Sequence, residues 1–285
     1  RSSAASDVYK RQGGSDVMIG GSGNDKFNVN QAYLSAMQTG VDLLSKQYAR
    51  IDGGEGLDIL ALMTASGGLS LNLIANQQDG TSRLESIEQI DLSTDAAANL
   101  LTLKATDVLD ITGMNNFNAS NVTSGGSYLG ASVARHQLMI TGDALDSVTF
   151  DATGWSKMVQ GATAAAQTVD YNGHTYAIYN NDSTAAQLLV DSRMAVTGVT
   201  LNIYGSAGGD TLTGVAPVMA GGDGNDTFVV NPTMVTALTA GTMQIQGGGG
   251  IDTLQFSSSP YLGALDFTKM GNQFKSIERL SLIHI

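Results

Sequence analysis

The chain has 285 residues and a formal net charge of −12, because 26 Asp and Glu outnumber 14 Lys and Arg. An acidic chain of this kind is a poor partner for nucleic acid or an anionic membrane surface and a better one for cations. It has no cysteine, which excludes disulfides, thiolate zinc sites and a cysteine nucleophile. No segment approaches the roughly 20 apolar residues that span a bilayer. The length is enough for one or two domains with a buried core.

The two ends of the sequence look foreign to the rest. Residues 1–12 read RSSAASDVYKRQ and contain no apolar core of a secretory signal, and the final residues SLIHI have a similar character. We expect residues 1–12 to be a non-native tail and the last few residues to be a non-native end.

Glycine and aspartate recur together at a spacing of nine residues. Asp16 and Asp25 are nine residues apart, and so are Met18 and Phe27. Intact copies read Gly-Gly-x-Gly-x-Asp-x-apolar-x. The copies are GGSGNDKFN (20–28), GGEGLDILA (53–61), GGDGNDTFV (221–229) and GGGGIDTLQ (247–255), with the weaker GSAGGDTLT (205–213) and the truncated GGSDVMI (13–19).

The spacing has a physical reason. Glycine adopts positive φ at little steric cost, so the first six residues can turn sharply and direct carbonyl oxygens inward. The sixth residue adds a carboxylate, a hard oxygen ligand suited to Ca²⁺. The eighth residue is apolar in all six copies, as expected for a short strand with that side chain inside. These residues are Met18, Phe27, Leu60, Leu212, Phe228 and Leu254. Metal-free Gly-Asp turns between strands are the alternative. A phosphate-binding loop is disfavoured, because no Gly-Lys-Ser/Thr follows the glycines.

These repeats resemble the nonapeptide of the RTX (repeats-in-toxin) family, a calcium-binding β-roll signature. The resemblance implies that each ion lies between two loops stacked on the same side of the roll. Contiguous motifs lie on opposite sides, so we expect Gly53–Asp58 to stack on an earlier loop and about one or two ions per cluster. Asp52 and Asp223 are candidate extra ligands, whereas Asn24 and Asn225 are expected to serve turn geometry. The predicted metal-binding residues are Gly14, Asp16, Gly20, Ser22, Gly23, Asp25, Asp52, Gly53, Glu55, Gly56, Asp58, Gly205, Ala207, Gly208, Asp210, Gly221, Asp223, Gly224, Asp226, Gly247, Gly249, Gly250 and Asp252.

The repeats belong to a longer duplication. GGSGNDKFNVN recurs as GGDGNDTFVVN, IDGGEGLDIL as IQGGGGIDTL, and LESIEQIDLS as FKSIERLSLI. We therefore predict an all-β chain in which two short calcium-binding parallel β-roll clusters flank a β-rich module of sandwich or solenoid type. The first cluster is 13–62 with a helical or loop excursion at 31–50, the module is 63–204, the second cluster is 205–256, and 257–285 opens a second unit.

The module between the clusters reads as strands. Apolar residues alternate at 69–73, 101–103, 138–140, 148–150 and 199–203. Asn172-Gly173 predicts a hairpin turn. Helical patterns are confined to Gln31–Arg50 with Asn30 as its cap, to its shorter counterpart 232–242, and to 104–109. Phrases such as NLLTLKATDVLDIT and NGHTYAIY resemble the module that follows SIExIDL in large RTX adhesin-like proteins.

No catalytic constellation is visible in the sequence. The histidines His136, His174 and His284 form no HExxH motif, and no Gly-x-Ser-x-Gly pentad exists. Asp107 with Asp110, and Asp143 with Asp146, could pair, but we expect solvated turn carboxylates. Trp155 with Tyr171, Tyr176 and Tyr179 could form a ligand platform, but a core role is the stronger expectation.

The resemblance implies a non-catalytic, calcium-stabilised structural segment of a large secreted RTX protein of the adhesin type. It implies Ca²⁺ as the cofactor, export through type I secretion machinery, and an extracellular or cell-surface location. Two alternatives stay open. One is the calcium-binding part of a secreted RTX hydrolase, protease or lyase whose catalytic domain lies outside the fragment. The other is a module, within 93–204, that binds a glycan or another surface ligand.

Overall fold

The structure is a computed structural model that describes residues 8–10, 17–39, 49–63, 67–76, 83–129, 134–150, 154–160, 165–181, 183–197, 202–256 and 267–282. The described chain is rich in β-strand and has four short helices, which confirms the predicted β-rich class. It divides into two compact units. The first comprises Arg1–Ala152 and Thr168–Val199, and the second comprises Thr153–Gln167 and Thr200–Ile285. This division differs from the predicted one, because most of 63–204 folds with the first repeat cluster.

The first unit is built mainly from three ladders of parallel strands. One contains β2 (Val17–Ser22), β4 (Arg50–Glu55) and β7 (Leu84–Glu85). A second contains β6 (Ser70–Asn72), β9 (Leu100–Leu103), β11 (Ser147–Phe150) and β17 (Ala195–Thr197). The third runs β1 (Val8–Lys10), β3 (Lys26–Val29), β5 (Ile59–Leu62), β8 (Gln89–Asp91), β10 (His136–Thr141) and β16 (Ala186–Asp191).

The register of the third ladder places apolar residues directly above one another. Phe27, Leu60, Ile90, Ile140 and Val190 pair in sequence from strand to strand, and each is at most 1% exposed. Burying such a column removes apolar surface from water at every step, which stabilises the stack by about 25 cal/mol per Å².

An antiparallel hairpin joins the third ladder at β16. It consists of β14 (Thr168–Tyr171) and β15 (His174–Asn181), and β15 pairs with β16. Its turn residues Asn172 and Gly173 have φ of 48° and 81°, as a type I′ turn requires. The predicted hairpin is confirmed.

The second unit has two parallel ladders. One runs β12 (Trp155–Gln160), β18 (Asn202–Tyr204), β20 (Val218–Asp223), β22 (Gln244–Gly249) and β24 (Phe274–Lys275), with β13 (Ala165–Ala166) antiparallel to β12. The other runs β19 (Thr211–Leu212), β21 (Thr227–Val230), β23 (Thr253–Phe256) and β25 (Arg279–Leu282). The core of the second unit includes Met219, Phe228, Met234, Ile245 and Leu254.

Helices fill the excursions between strands. They are α1 (Gln31–Thr39), α2 (Ala105–Ile111), α3 (Pro232–Thr239) and α4 (Phe267–Met270), and 3₁₀ turns lie at Leu73–Asn76, Gly126–Leu129 and Gly271–Gln273. Asn30 caps α1 by accepting the backbone N–H of Tyr33, and Asn231 caps α3 in the same way through Met234. The prediction that the first helix extends to Arg50 is wrong at its end, because Arg50 starts β4; residues 40–48 lie outside the described residues.

Candidate functional site

The glycine-rich loops stack on one another within each unit. In the first unit Gly21 pairs with Gly54 and Ser22 with Glu55. In the second unit Gly222 pairs with Gly248, and the 205–210 loop lies beside the 221–226 loop. Loops separated by a helical excursion thus return to the same register, which brings their sixth-position aspartates together.

These aspartates form a ladder of backbone-to-carboxylate hydrogen bonds in each unit. The backbone N–H of Asp25 donates to Oδ1 of Asp58 over 2.7 Å. In the second unit Asp210 donates to Asp226, and Asp226 to Asp252, each over 2.8 Å. All five aspartates are at most 2% exposed. One oxygen of each accepting carboxylate is therefore used to join the loops.

The second oxygen of each of the three accepting carboxylates makes no such bond. Oδ2 of Asp58, Asp226 and Asp252 is buried and has no hydrogen-bond partner. Such an oxygen is costly in a folded protein, since an unsatisfied buried polar group costs about 1–3 kcal/mol and a charged one more. Each of these oxygens therefore calls for a compensating partner, such as a hydrogen-bond donor or a cation.

These unpaired Oδ2 atoms face the first glycine of their own loop. A Cβ placed on Gly53, Gly221 or Gly247 would lie 2.6, 2.0 or 2.2 Å from the Oδ2 of Asp58, Asp226 or Asp252. A carbonyl oxygen from the next turn reaches the same place: Gly247 O would lie 2.6 Å from the Cβ at Gly221. Carboxylate and carbonyl oxygens therefore crowd a space that only a residue without a side chain leaves open.

Burial raises the pKa of three carboxyl groups at or beside these loops. Desolvation raises the pKa of Asp58 to about 6, with the nearby Asp25 and Asp52 carboxylates adding to the rise. Desolvation likewise raises the pKa of Glu88 to about 7, and the charge of Asp58 contributes. The pKa of Asp226 is raised by burial first and then by Asp252 and Asp210. A nearby cation would favour the ionised forms.

A substitution at Gly53 tests how closely this space is filled. We expect Gly53→Ala to destabilise the fold by about 2–4 kcal/mol, because the added Cβ would lie 1.9 Å from Ser86 O. Gly271→Ala is the control, since nothing lies within 4 Å of its added Cβ. Urea unfolding followed by circular dichroism measures both. Equal midpoints for the two variants would contradict the crowding.

Asn24 and Asn225 join neighbouring loops. The side-chain oxygen of Asn24 accepts the backbone N–H of Leu57 over 2.9 Å, and that of Asn225 accepts Ile251 over 2.8 Å. Their role therefore extends beyond the turn geometry that the sequence predicted.

The remaining predicted ligands are less closely gathered. Gly14 and Asp16 lie outside the described residues. Asp52 is half-buried and lies 3.9 Å from the Arg50 guanidinium, and Asp223 is exposed. In the weaker 205–210 copy, Oδ2 of Asp210 accepts from the Ser206 backbone N–H and hydroxyl at 2.5 and 2.9 Å. That loop partly satisfies its own carboxylate through a serine that stands where stronger copies have glycine.

Two glutamates that the sequence reasoning missed continue the ladders. Glu88 Oε2 accepts the backbone N–H of Asp58 over 2.9 Å, and Glu278 Oε2 accepts that of Asp252 over 2.8 Å. The position of these glutamates relative to the strands could have identified them. Each ladder residue immediately precedes a strand, as Asp58 precedes Ile59, Asp252 precedes Thr253 and Glu88 precedes Gln89.

The first unit has a second series of hydrogen bonds from backbone N–H groups to side chains, and in this series both carboxylate oxygens of Asp146 accept a bond. Asn99 accepts the N–H of Leu69, and Asp146 Oδ1 accepts that of Asn99, over 2.8 and 2.9 Å. Asp146 Oδ2 accepts the N–H of Asp143 over 2.9 Å. Asp107 is also buried and accepts the N–H of Lys104 at the start of α2. The expectation of solvated turn carboxylates is wrong for Asp107 and Asp146, because both bind backbone N–H groups.

The other candidates for chemistry have structural surroundings. His136 Nδ1 lies 2.6 Å from Thr112 O, and His174 Nδ1 lies 2.7 Å from Asp191. Trp155 is 2% exposed within the second unit, and Tyr176 is 1% exposed within the first. The core role expected for these aromatic residues is confirmed for Trp155, Tyr176 and Tyr179, whereas Tyr171 is half-buried.

Two kinds of feature are absent from the described part of the chain. No group of three or more His, Cys, Asp or Glu side chains lies close enough to hold a metal ion. A cation at the loops would therefore rely on fewer carboxylates together with main-chain carbonyls. No described helix has the length and apolar character needed to cross a membrane.

Comparisons with known proteins give no relative: neither a protein-family model, nor a curated protein, nor a solved structure matches this chain.

Proposed function

We propose that this chain is a calcium-binding structural segment in which the glycine-aspartate loops of each unit form a β-roll. The observation that carries the proposal is the set of three buried carboxylate oxygens without a hydrogen-bond partner, on Asp58, Asp226 and Asp252. Each lies beside the first glycine of its loop. A plain Gly-Asp turn has no reason to bury an oxygen in this way.

The chemistry of these oxygens favours Ca²⁺ over other cations. Ca²⁺ takes six to eight oxygen ligands in flexible geometry, including backbone carbonyls, whereas Mg²⁺ demands a tighter octahedron and retains water. The residues that would hold calcium ions are Asp58 in the first unit and Asp226 and Asp252 in the second, with carbonyls of neighbouring loops such as Gly247. A bound cation would place a compensating positive charge beside these buried carboxylates.

The function that follows is coupled binding and folding rather than catalysis. Without a cation the buried carboxylates repel one another and the glycine loops are costly to order. When the cation is bound, its binding free energy becomes folding free energy. Extracellular calcium modules bind with Kd of about 10⁻⁴ to 10⁻³ M. We therefore propose a secreted, adhesin-type structural role in which the segment folds after export by type I secretion machinery.

Isothermal titration of the metal-stripped protein tests the proposal directly. We expect heat of binding with Ca²⁺ in the range of about 10⁻⁴ to 10⁻³ M, and much weaker binding of Mg²⁺. Absence of calcium binding in a correctly folded sample would contradict the proposal.

The pH dependence of stability is predicted to differ between calcium and chelator. The folded pKa values of Asp58 and Glu88, about 6 and about 7, lie above their ordinary values of 3.8 and 4.5. In EGTA their protonated forms thus stabilise the fold fully below about pH 4, and this stabilisation is lost as pH rises to about 7. Calcium requires the ionised carboxylates, so its contribution grows over the same range.

Urea midpoints at pH 5, 6 and 7.5 measure this dependence. In EGTA we expect the midpoint to rise as the pH is lowered from 7.5 to 5. In calcium we expect that rise to disappear or reverse. Parallel pH profiles in the two media would show that protons and calcium do not compete for these groups.

A further inference from the structure

The last glycine loop of each unit is followed by a three-residue turn of the same sequence. Ser86–Glu88 follows the 53–58 loop, and Ser276–Glu278 follows the 247–252 loop. The strands on either side stay in register, since Asp52 pairs with Glu85 and Ile59 with Gln89. Three residues therefore cover the distance that a six-residue loop covers elsewhere. The first residue of each turn has positive φ, 52° for Ser86 and 49° for Ser276.

Each Ser-Ile-Glu turn provides the carbonyl that a following glycine loop provides elsewhere. At Gly221 the oxygen from the next turn of chain is Gly247 O. At Gly53 and Gly247 it is Ser86 O and Ser276 O, which would lie 1.9 and 1.8 Å from an added Cβ. The main-chain oxygen reaches the same place in both arrangements.

Each turn also provides the carboxylate. Between two glycine loops, the Asp of the later loop accepts the N–H of the earlier Asp. At the last loop, Glu88 or Glu278 accepts that N–H instead. The additional methylene of glutamate compensates for the shorter turn. The buried Oδ2 atoms of Asp58 and Asp252, which lack a partner, lie at these final positions.

We propose that each Ser-Ile-Glu turn completes the calcium site at the last loop of its unit, one with Asp58 in the first unit and one with Asp252 in the second. The proposal rests on the proposed function, because it uses the same cation and the same kind of loop. Asp58, Asp252 and the Ser86 and Ser276 carbonyls are the candidate ligands.

Glu88 and Glu278 act in these sites as positioning residues. Glu88 is 4% exposed and accepts backbone N–H groups of Asp58, Gly113 and its own residue. Its carboxylate holds the Asp58 backbone in place and adds negative charge near the cation. Glu278 holds Asp252 in the same way but is exposed, so its substitution tests the role with little risk to the fold.

The test counts bound calcium ions by native mass spectrometry and measures affinities by titration of the full chain. Glu88→Gln and Glu278→Gln each retain an oxygen that can accept the Asp N–H but remove the charge. We expect each variant to weaken one site by at least about tenfold, which removes one ion from the count at limiting calcium. The double variant should lose two. Glu85→Gln, which makes the same change three residues before Glu88 where Glu85 pairs with Arg50, should lose none.

A purely structural role gives a different pattern. In that case Glu278→Gln and Glu88→Gln would bind as many ions as the wild type, with affinities within twofold, and only Glu278→Ala would be impaired. That result would overturn the inference while leaving the proposed function intact. Failure of the wild-type chain to bind calcium would overturn both. Melting temperatures in EGTA establish that each variant folds, and Glu278→Gln decides the question if Glu88→Gln does not.

Discussion

Chelation of calcium is expected to lower the melting temperature of the protein by roughly 10–20 °C and to reduce its strand signal in circular dichroism. At free calcium of 100 times Kd, each occupied site adds about 2.7 kcal/mol. Two sites in the first, larger unit thus contribute about 5 kcal/mol, and each kcal/mol shifts the melting temperature of a unit of that size by about 2–4 °C. The free energy of unfolding of a typical domain is only about 5–15 kcal/mol, so calcium binding would supply a large fraction of it.

The experiment compares melting in EGTA, in about 10 mM Ca²⁺ and in the same concentration of Mg²⁺. Calcium added after chelation should restore the higher melting temperature, and magnesium should restore little of it. Two transitions are expected if the two units differ in occupancy. An identical melting curve in EGTA and calcium would show that the buried carboxylates need no cation, and the proposed function would then be wrong.

Asp58→Asn is expected to change stability in opposite directions with and without calcium. The asparagine keeps a side-chain oxygen for the Asp25 backbone N–H, which donates to Oδ1 over 2.7 Å in the wild type. It removes the negative charge and replaces the unpaired Oδ2 by an N–H donor near Ser86 O. In calcium we expect at least a tenfold loss of affinity, about 1.4 kcal/mol, at this site.

In EGTA at pH 7.5 the same variant should be more stable than the wild type. The wild-type protein must bury an ionised Asp58 whose pKa is raised to about 6, and removing that charge gains up to about 3 kcal/mol. Urea unfolding in both media measures the two effects. Asp110→Asn, an exposed carboxylate in the same unit, is the control for net charge. An equal loss of stability in both media would indicate that Asp58 serves the fold alone.

The parts of the fold that depend on local sequence were predicted well. The turn at Asn172-Gly173 and the capping role of Asn30 depend on neighbouring residues only. The burial of all six eighth-position side chains followed from the nine-residue phase, and each is at most 3% exposed. Local backbone preference and apolar periodicity are properties of the sequence itself, which is why they could be read there.

Of the parts that depend on stacking, the sequence predicted only the contact of the 53–58 loop with an earlier loop, which the pairing of Gly21 with Gly54 confirms; the other stacked contacts were not predicted. Glu88 and Asp146 join ladders only because chain segments 30 and 47 residues away return beside them. Periodicity identifies a loop but does not say which other loop lies next to it. The observed division into two units also differs from the predicted domains, because the pairing of β8 with β10 joins the central region to the first cluster. No change in amino-acid composition indicates this strand pairing.

The ladder bonds make the register of each unit independent of the length of chain between loops. Asp25 and Asp58 are 33 residues apart, Asp226 and Asp252 are 26 apart, and Asp210 and Asp226 are only 16 apart. Yet the same hydrogen bond, 2.7–2.8 Å long, closes each interval. Insertions between neighbouring loops therefore leave the stacking geometry intact, and such a scaffold can acquire new surface segments by lengthening its excursions without rebuilding its interior.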